Sequence, residues 1–271
     1  MMTGRRFLSG WPSGRSGALA VSLITVPPCP VCGGDGQLLD VVDFNKTCEE
    51  IRGVFLPIVG VPIYYALCAE CGFCFAPQMY EWSLSEFSAH IYNEDYKLVD
   101  PDYEIARPSA NANFIASLFG KDAGRIRHLD YGGGNGALSG LLRAQGFAST
   151  SYDPFVDLTV DPRSLGKFDL ITAFEVFEHV PDVAALMSNL AALRAKEGVI
   201  LFTTLASDGN IGPNQRLNWW YASPRNGHIS LFSRKSLLCL AVRNSLNFGS
   251  LNDGLHVFWS QAPSFASQLF G

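Results

Sequence analysis

Apolar runs of strand length alternate with amphipathic helical stretches over the second half of the chain. The pattern predicts strands over 126–131, 149–152, 168–174, 199–205 and 255–259, and helices over 138–145, 183–195 and 234–246. Asp182 and Ser233 precede the last two helices, where side-chain oxygens commonly cap free backbone N–H groups. Alternating strands and helices are typical of an α/β domain with a doubly wound, mainly parallel sheet covered on both faces.

The first half of the chain follows a different pattern. Residues 80–120 predict helices, and one of them runs from Ser109 to Phe119 before Gly120. Residues 54–67 are rich in β-branched and aromatic residues with Pro and Gly between them, which indicates short strands. The pattern therefore divides the chain into residues 1–26, 27–79, 80–120 and 121–271. We interpret the first segment, residues 1–26, as a mobile tail or an overlong N-terminus rather than as an export signal.

Composition narrows the class of protein. The 271-residue chain has a net charge of −5 and 17% charged residues, so we expect a folded protein without an overall basic surface for nucleic acid. The longest nearly uncharged stretch, Val54 to Ala69, is interrupted by prolines and a glycine. It is also shorter than the roughly 20 residues that a membrane-spanning helix needs. We therefore expect no membrane span.

Four of the seven cysteines form two Cys-x-x-Cys-Gly turns, Cys29–Gly33 and Cys68–Gly72. Each turn brings two thiolates to one point, and the glycine permits the tight backbone that aims amides at sulfur. The pair predicts a structural zinc site made by Cys29, Cys32, Cys68 and Cys71 in residues 27–79. Cys74 is an alternative ligand, and independent buried or redox-active cysteines are the other interpretation. Metal-binding thiols indicate a reducing compartment, hence a cytoplasmic protein.

A glycine-rich turn follows the first strand of the α/β domain. In HLDYGGGNG, Gly132, Gly133 and Gly134 lie between a strand and a helix, where a cofactor can touch backbone. The turn also fits a dinucleotide-binding pattern, so NAD and S-adenosylmethionine (SAM) are both considered. Asp130, before the glycines, and Asp153, after the next strand, favour SAM. One carboxylate can organise the loop or receive an ammonium group, and the other can bind ribose hydroxyls.

The segments HLDYGGGNG, SYDPF and FDLITAFEVFEHVPD resemble, in this order and spacing, the strand motifs of class I SAM-dependent methyltransferases. The resemblance covers residues 111–259 and implies the Rossmann-like methyltransferase fold. It implies that Gly132 and Gly134 bound the methionine part of SAM, that Asp153 holds the ribose, and that residues 174–179 line the site. Phe174 and Glu175 are thus cofactor-site candidates. With the cysteine turns ahead of it, the chain resembles zinc-bearing methyltransferases of bacterial sugar and secondary-metabolite clusters.

Three residues are candidates for proton transfer to or from an acceptor. Glu178 and His179 follow an apolar strand, and His228 lies in a loop before a predicted helix, where the family often contacts substrate. For each histidine a structural, hydrogen-bonded role is the alternative. Tyr92, Tyr96, Tyr103 and Arg107 are predicted either to form a lid over the site, with Arg107 near the cofactor, or to pack and pair with a carboxylate.

The sequence thus predicts a SAM-dependent methyltransferase with a structural zinc ion. Its expected acceptor is a small molecule, such as a sugar-containing or other biosynthetic intermediate. The alternatives are an NAD-linked oxidoreductase, a non-catalytic binding module and, as a minor one, an RNA methyltransferase. The acceptor atom and the oligomeric state are left open.

Overall fold

A computed structural model describes residues 25–270, so the predicted tail lies, apart from its last two residues, outside the described residues. The strands are β1 (Gly36–Asp43), β2 (Pro62–Cys68), β3 (Cys74–Phe75), β4 (Arg127–Tyr131), β5 (Ala148–Tyr152), β6 (Phe168–Ala173), β7 (Arg194–Thr203), β8 (Ser230–Leu231), β9 (Asn247–Ser250) and β10 (Leu255–Trp259). The helices are α1 (Leu84–His90), α2 (Tyr96–Val99), α3 (Ala106–Phe119), α4 (Ala137–Ala144), α5 (Val183–Leu193) and α6 (Arg234–Arg243).

The larger sheet has six strands in the order β5-β4-β6-β7-β10-β9. Strands β5, β4, β6 and β7 run parallel, and β10 lies antiparallel to both β7 and β9. Alternate residues of β7 point to opposite faces: Val199 packs with α3 and α4, whereas Ile200 packs with α5 and α6. The predicted α/β fold with a doubly wound, mainly parallel sheet is confirmed.

Local signals located the helices of this domain well. The helix predicted over 183–195 is α5, and the Asp182 carboxylate accepts a hydrogen bond from the Ala185 N–H at 2.8 Å. Strand β9 was not predicted, because its sequence NFGS is short and partly exposed and contains a glycine. Strand β1 was also missed, and only 62–67 of the stretch predicted to form strands over 54–67 lies in a strand, β2.

The smaller sheet joins the cysteine-bearing unit to the α/β domain. Its order is β1-β2-β3-β8, and all of its neighbouring strands are antiparallel. Cys74 pairs with Leu231, so a strand from the far end of the chain completes a sheet that begins at residue 36. Cys29 and Cys71 also share a buried cluster with Phe232. The division at residues 79 and 120 remains a prediction, and the units that it separates share a sheet and a core.

No helix among residues 25–270 combines the length and the apolar character that crossing a bilayer requires. The longest helix, α3, has 14 residues.

Ser233 makes two contacts at the junction of the two sheets. Its hydroxyl accepts from the Ser236 N–H at the start of α6 and donates to the Cys71 carbonyl at 2.6 Å. Because Ser233→Ala removes a cap and leaves a buried carbonyl without its donor, we expect it to lower the free energy of unfolding by about 2–3 kcal/mol. Ser83→Ala, which removes an exposed cap of α1, is the control, with an expected loss of about 1 kcal/mol. Urea denaturation measures both, and equal losses would contradict the bridging role of Ser233.

Candidate functional site

The glycine-rich turn connects β4 to α4 at the carboxyl edge of the larger sheet. The N–H groups of Gly132 and Gly133 both donate to the Tyr152 carbonyl, at 2.7 and 3.2 Å. A Cβ on Gly132 would lie 2.5 Å from a methyl group of Val176, so any side chain there would clash. Gly134 has a φ of +54°, and a Cβ on it would meet nothing within 4 Å. The turn therefore presents bare backbone to the space above it.

Asp130 lies directly beneath this turn. Its carboxylate accepts from the Thr172 hydroxyl at 3.0 Å and is almost completely buried. Burial raises the pKa of Asp130 to about 7, since a charged carboxylate loses its hydration there. A Cβ on Gly133 would come within 2.5 Å of this carboxylate. Asp130 thus supports the turn from below.

Asp153, at the end of β5, holds the turn from the side. One carboxylate oxygen accepts from the Gly134 N–H at 2.9 Å, and the other accepts from the Phe155 N–H at 2.8 Å. Each oxygen has a further lone pair for a ligand. The side chain also lines the space above the turn. Asp153 therefore combines a fixed position with unused acceptor capacity.

The segment after β6 forms the third part of this edge. Glu175 has a φ of +55°, a backbone conformation that is uncommon for a residue with a side chain. The Thr203 hydroxyl stabilises it by accepting from the Glu175 N–H at 2.8 Å and donating to its carboxylate at 2.9 Å. Phe174, beside it, is largely buried with one side against the open space.

These three segments form one wall of a cleft of about 630 Å³, a volume typical of small-molecule sites. Residues 84–111 form the facing wall. All eight predicted cofactor residues line the cleft: Asp130, Gly132, Gly133, Gly134, Asp153, Phe174, Glu175 and Arg107. Sequence reasoning missed other lining residues, among them Asp100, Asn111, Phe155 and Asn189. Their positions in helices and loops carry no local signature, so only packing could reveal them.

Arg107 and the tyrosines of the facing wall fit both of their predicted roles. Arg107 lines the cleft and donates two hydrogen bonds to Asp100, at 2.9 and 2.7 Å. Burial acts against its charge, but the bonds to Asp100 raise the pKa of Arg107 above its ordinary value. Tyr92, Tyr96 and Tyr103 also line the cleft while packing edge to face against one another.

The three proton-transfer candidates lie together, and one of them reaches the cleft. His179 lines the cleft, and its buried Nδ1 has no hydrogen-bond partner among the described residues. Burial and the nearby positive charge of Arg107 lower the pKa of His179 to about 4, so the ring is neutral at pH 7. The ring of His228 lies 4.8 Å behind it, and its Nδ1 donates to the Tyr221 carbonyl at 2.8 Å. His228 therefore lies behind the cleft wall.

Glu178 is completely buried and also lies behind the cleft wall. It accepts from the Tyr221 hydroxyl at 2.5 Å, and its other oxygen has no partner among the described residues. Burial and the nearby Glu175 carboxylate raise the pKa of Glu178 to about 8. The aromatic run Trp219 to Tyr221 packs in the cluster around β2 and β3 instead of facing the cleft.

The four predicted metal-ligand sulfurs converge at the edge of the smaller sheet. Their Sγ atoms lie within 4.8 Å of one another; Cys29 is 3.6 Å from Cys71, and Cys32 is 3.4 Å from Cys68. Tetrahedral Zn²⁺ with Zn–S bonds of about 2.3 Å requires sulfurs about 3.8 Å apart. The residues present therefore fit a four-thiolate zinc site. Cys74 lies outside this group, in the cluster around Tyr65.

The thiol chemistry of this group also fits a cation. The Cys71 thiol and backbone amides donate to Cys29 and, against the opposing effect of burial, lower its pKa to about 5. Burial raises the pKa of Cys32 to about 11. Four sulfurs this close cannot all ionise without a positive charge between them, and a bound metal supplies that charge.

The ionisation of Glu178 predicts a pH-dependent stability. Between its ordinary value of 4.5 and a folded-state pKa of about 8, the folded protein holds a proton that the unfolded chain releases, so stability falls as pH rises. Relative to wild type, the free energy of unfolding of Glu178→Gln should therefore rise by about 3–4 kcal/mol between pH 5 and pH 8. Urea denaturation at both pH values measures this, with the exposed Glu197→Gln as control. Parallel stability profiles for wild type and Glu178→Gln would contradict it.

Comparison with known proteins identifies the family. A family model described as a methyltransferase domain matches residues 103–246, more than half of the chain. The ubiquinone biosynthesis O-methyltransferase of Rhodopseudomonas palustris (strain TIE-1) is 30% identical over 94 residues, which span 35% of this chain and 36% of that protein. The enzyme of the same name from Paramagnetospirillum magneticum is 33% identical over 118 residues, 34% of this chain and 47% of its own length. The chain thus spans less than half the length of these relatives.

Among solved structures, the 1,6-didemethyltoxoflavin-N1-methyltransferase of Burkholderia thailandensis with bound S-adenosylhomocysteine is similar with a TM-score of 0.44 and 14% identity. The similarity covers 70% of this chain and 95% of that one. The match over residues 103–246 includes β4 to β8, the glycine turn, Asp153 and the segment after β6. From this match we conclude that the chain belongs to the methyltransferase-domain family.

Proposed function

We propose that this protein is a SAM-dependent methyltransferase acting on a small-molecule acceptor. The observation that carries the proposal is the cleft in which the glycine turn, Asp153 and the segment after β6 meet within the family-matched region. The names of the matched relatives, which are O-methyltransferases, support a small organic acceptor. A sugar-containing or other biosynthetic intermediate is our working class.

In this proposal the cofactor lies across the carboxyl edge of the larger sheet. The backbone of Gly132 to Gly134 bounds its methionine part, and Asp130 supports that backbone from below. Asp153 accepts hydrogen bonds from the ribose hydroxyls through the lone pairs that its amide partners leave unused. Bound SAM supplies an activated methyl group on a positively charged sulfur. The carboxylates that line the cleft favour that charge.

His179 is the proposed proton acceptor for the methylated group. It lines the cleft, and its ring is neutral at pH 7. Glu178 and His228 do not line the cleft, so we propose them as positioning residues. The ring of His228 packs 4.8 Å from that of His179, and Tyr221 holds both Glu178 and His228. Arg107, held by Asp100, closes the opposite side of the cleft.

Calorimetry with S-adenosylhomocysteine (SAH) tests the cofactor assignment. We expect the wild type to bind SAH and not NADH. Asp153→Asn should weaken SAH binding by at least about tenfold, because it removes the charged acceptor of two hydroxyl hydrogen bonds. Asp169→Asn, at the other end of the sheet in an ion pair with Arg127, is the matched control and should bind as wild type does.

Binding of NADH without SAH would favour an oxidoreductase instead. Unchanged SAH affinity in Asp153→Asn would contradict the assignment of the ribose to Asp153. Affinity for RNA that falls steeply with salt would support the RNA methyltransferase alternative.

We further propose that Cys29, Cys32, Cys68 and Cys71 bind one structural zinc ion. The support is the distances between their sulfurs and the two tight turns, in which Gly33 donates to the Cys29 carbonyl and Gly72 donates to the Cys68 carbonyl. A complete sulfur shell leaves no position for substrate, so the ion stabilises residues 27–79. Free thiolates of this kind are typical of reducing compartments, which supports our proposal of a cytoplasmic location.

Metal analysis tests the zinc site. We expect about one zinc per chain in the wild type and a loss of most of it in Cys29→Ser/Cys32→Ser, since two of four ligands are gone. Cys239→Ser, on α6 and away from the four sulfurs, should keep the metal. A chelator should also lower the Tm of the wild type. Full zinc occupancy in the double variant would exclude this ligand set.

A further inference from the structure

The charges that line the cleft are strongly one-sided. Arg107 is the one Lys or Arg side chain that lines it within residues 25–270. Six acidic side chains line the same space: Asp100, Glu104, Asp130, Asp153, Glu175 and Asp182. Of these, Asp130 is only partly charged at pH 7, because burial raises its pKa to about 7. A cofactor with one net positive charge would leave most of this excess in place. The remaining space therefore carries a negative potential that an acceptor must tolerate.

The cationic and amide groups that normally bind an anion are already engaged. Both terminal nitrogens of Arg107 donate to Asp100, so the pair is neutral and its fork is occupied. Three helices of eight or more residues begin at the cleft, and each has N–H groups of its first turn already engaged. In α3, the Arg107 N–H donates to the Asp102 carbonyl at 2.9 Å, and Pro108 has no N–H. Asn135 accepts from the Ala137 N–H at 3.1 Å in α4, and Asp182 accepts from the Ala185 N–H in α5. These helix starts therefore offer fewer free N–H groups to an anion than uncapped helix starts would.

Aromatic side chains give the same cleft an apolar surface. The ring of Tyr92 lies 4.9 Å from that of Phe155 and 5.3 Å from that of Tyr96, and Tyr103 continues the row at 5.3 Å. Leu84 and Phe87 extend it. Edge-to-face rings of this kind present faces and edges on which a planar ring can pack.

We infer that the acceptor is a planar ring compound that carries no phosphate, sulfate or carboxylate. The inference rests on the proposed methyltransferase function and narrows it, because it removes sugar nucleotides and other phosphorylated intermediates from the working class. An anionic acceptor would lose its hydration beside carboxylates that no free cation offsets. A neutral or cationic ring meets no such penalty.

Three catechols that differ in the charge of one substituent test the inference. They are 4-methylcatechol, which is neutral, dopamine, which is cationic, and 3,4-dihydroxybenzoate, which is anionic. We expect the first two to bind SAH-saturated wild-type protein with a Kd at least about tenfold below that of the benzoate, measured by NMR titration. Equal or tighter binding of the benzoate would overturn the inference. Failure of 4-methylcatechol to bind at millimolar concentration would overturn the planar-ring part.

Two charge-reversal variants test whether the charge preference arises in the cleft. Glu104 is exposed and lines the cleft. Glu104→Lys should therefore reduce the ratio of the Kd of the anionic catechol to that of the neutral catechol by at least about threefold. Glu197→Lys makes the same charge change on β7, at a position outside the cleft lining, and should leave this ratio of Kd values unchanged. Equal effects of the two variants would contradict the inference.

Calorimetry with SAH distinguishes failure of this inference from failure of the proposed function. If the protein binds SAH but prefers the anionic catechol, the inference about the acceptor is wrong and the proposed function stands. If the protein does not bind SAH, the proposed function itself is contradicted.

Discussion

The segment from Pro224 to Leu231 is held from both halves of the molecule, and the arrangement of the site depends on that double attachment. On one side, the Ile229 carbonyl accepts from the Ala76 N–H at 2.9 Å, and the Tyr65 hydroxyl donates to the His228 carbonyl at 2.8 Å. On the other side, the Ile229 N–H donates to the Glu178 carbonyl at 2.9 Å. One short segment therefore links the sheet beside the cysteines to the strand end that carries His179.

This linkage explains why several ionisable groups can be buried behind the cleft. A buried carboxylate or imidazole is costly unless its neighbours hold it neutral or hydrogen-bonded. Glu178 meets this condition through the Tyr221 hydroxyl, and His228 does so through the Tyr221 carbonyl. Tyr221 in turn belongs to the apolar cluster around the smaller sheet. Tyr221 thus connects Glu178 to the packing of the smaller sheet.

The cleft itself follows from the topology of the larger sheet. Parallel strands β4, β5 and β6 end at one edge, so the residues that follow them meet there although they are distant in sequence. The two walls of the cleft offer different chemical groups. The strand-end wall offers backbone, carboxylates and a neutral imidazole, and the helical wall offers tyrosines and an internally neutralised ion pair.

The sequence alone determined the features that local patterns encode. A 3.6-residue stripe and an aspartate cap located α5, the glycine turn located the edge of the sheet, and two Cys-x-x-Cys-Gly turns placed four sulfurs in two pairs. Such patterns are legible because each involves residues within a few positions of one another.

Tertiary structure decided what depends on distant partners. It joined β8 to β3, and it buried Glu178 and His228 while leaving His179 at the cleft. The physical reason is that burial, pairing and pKa are set by side chains such as Tyr65 and Tyr221, which lie dozens to more than a hundred residues from their partners. No periodicity in the chain records those contacts.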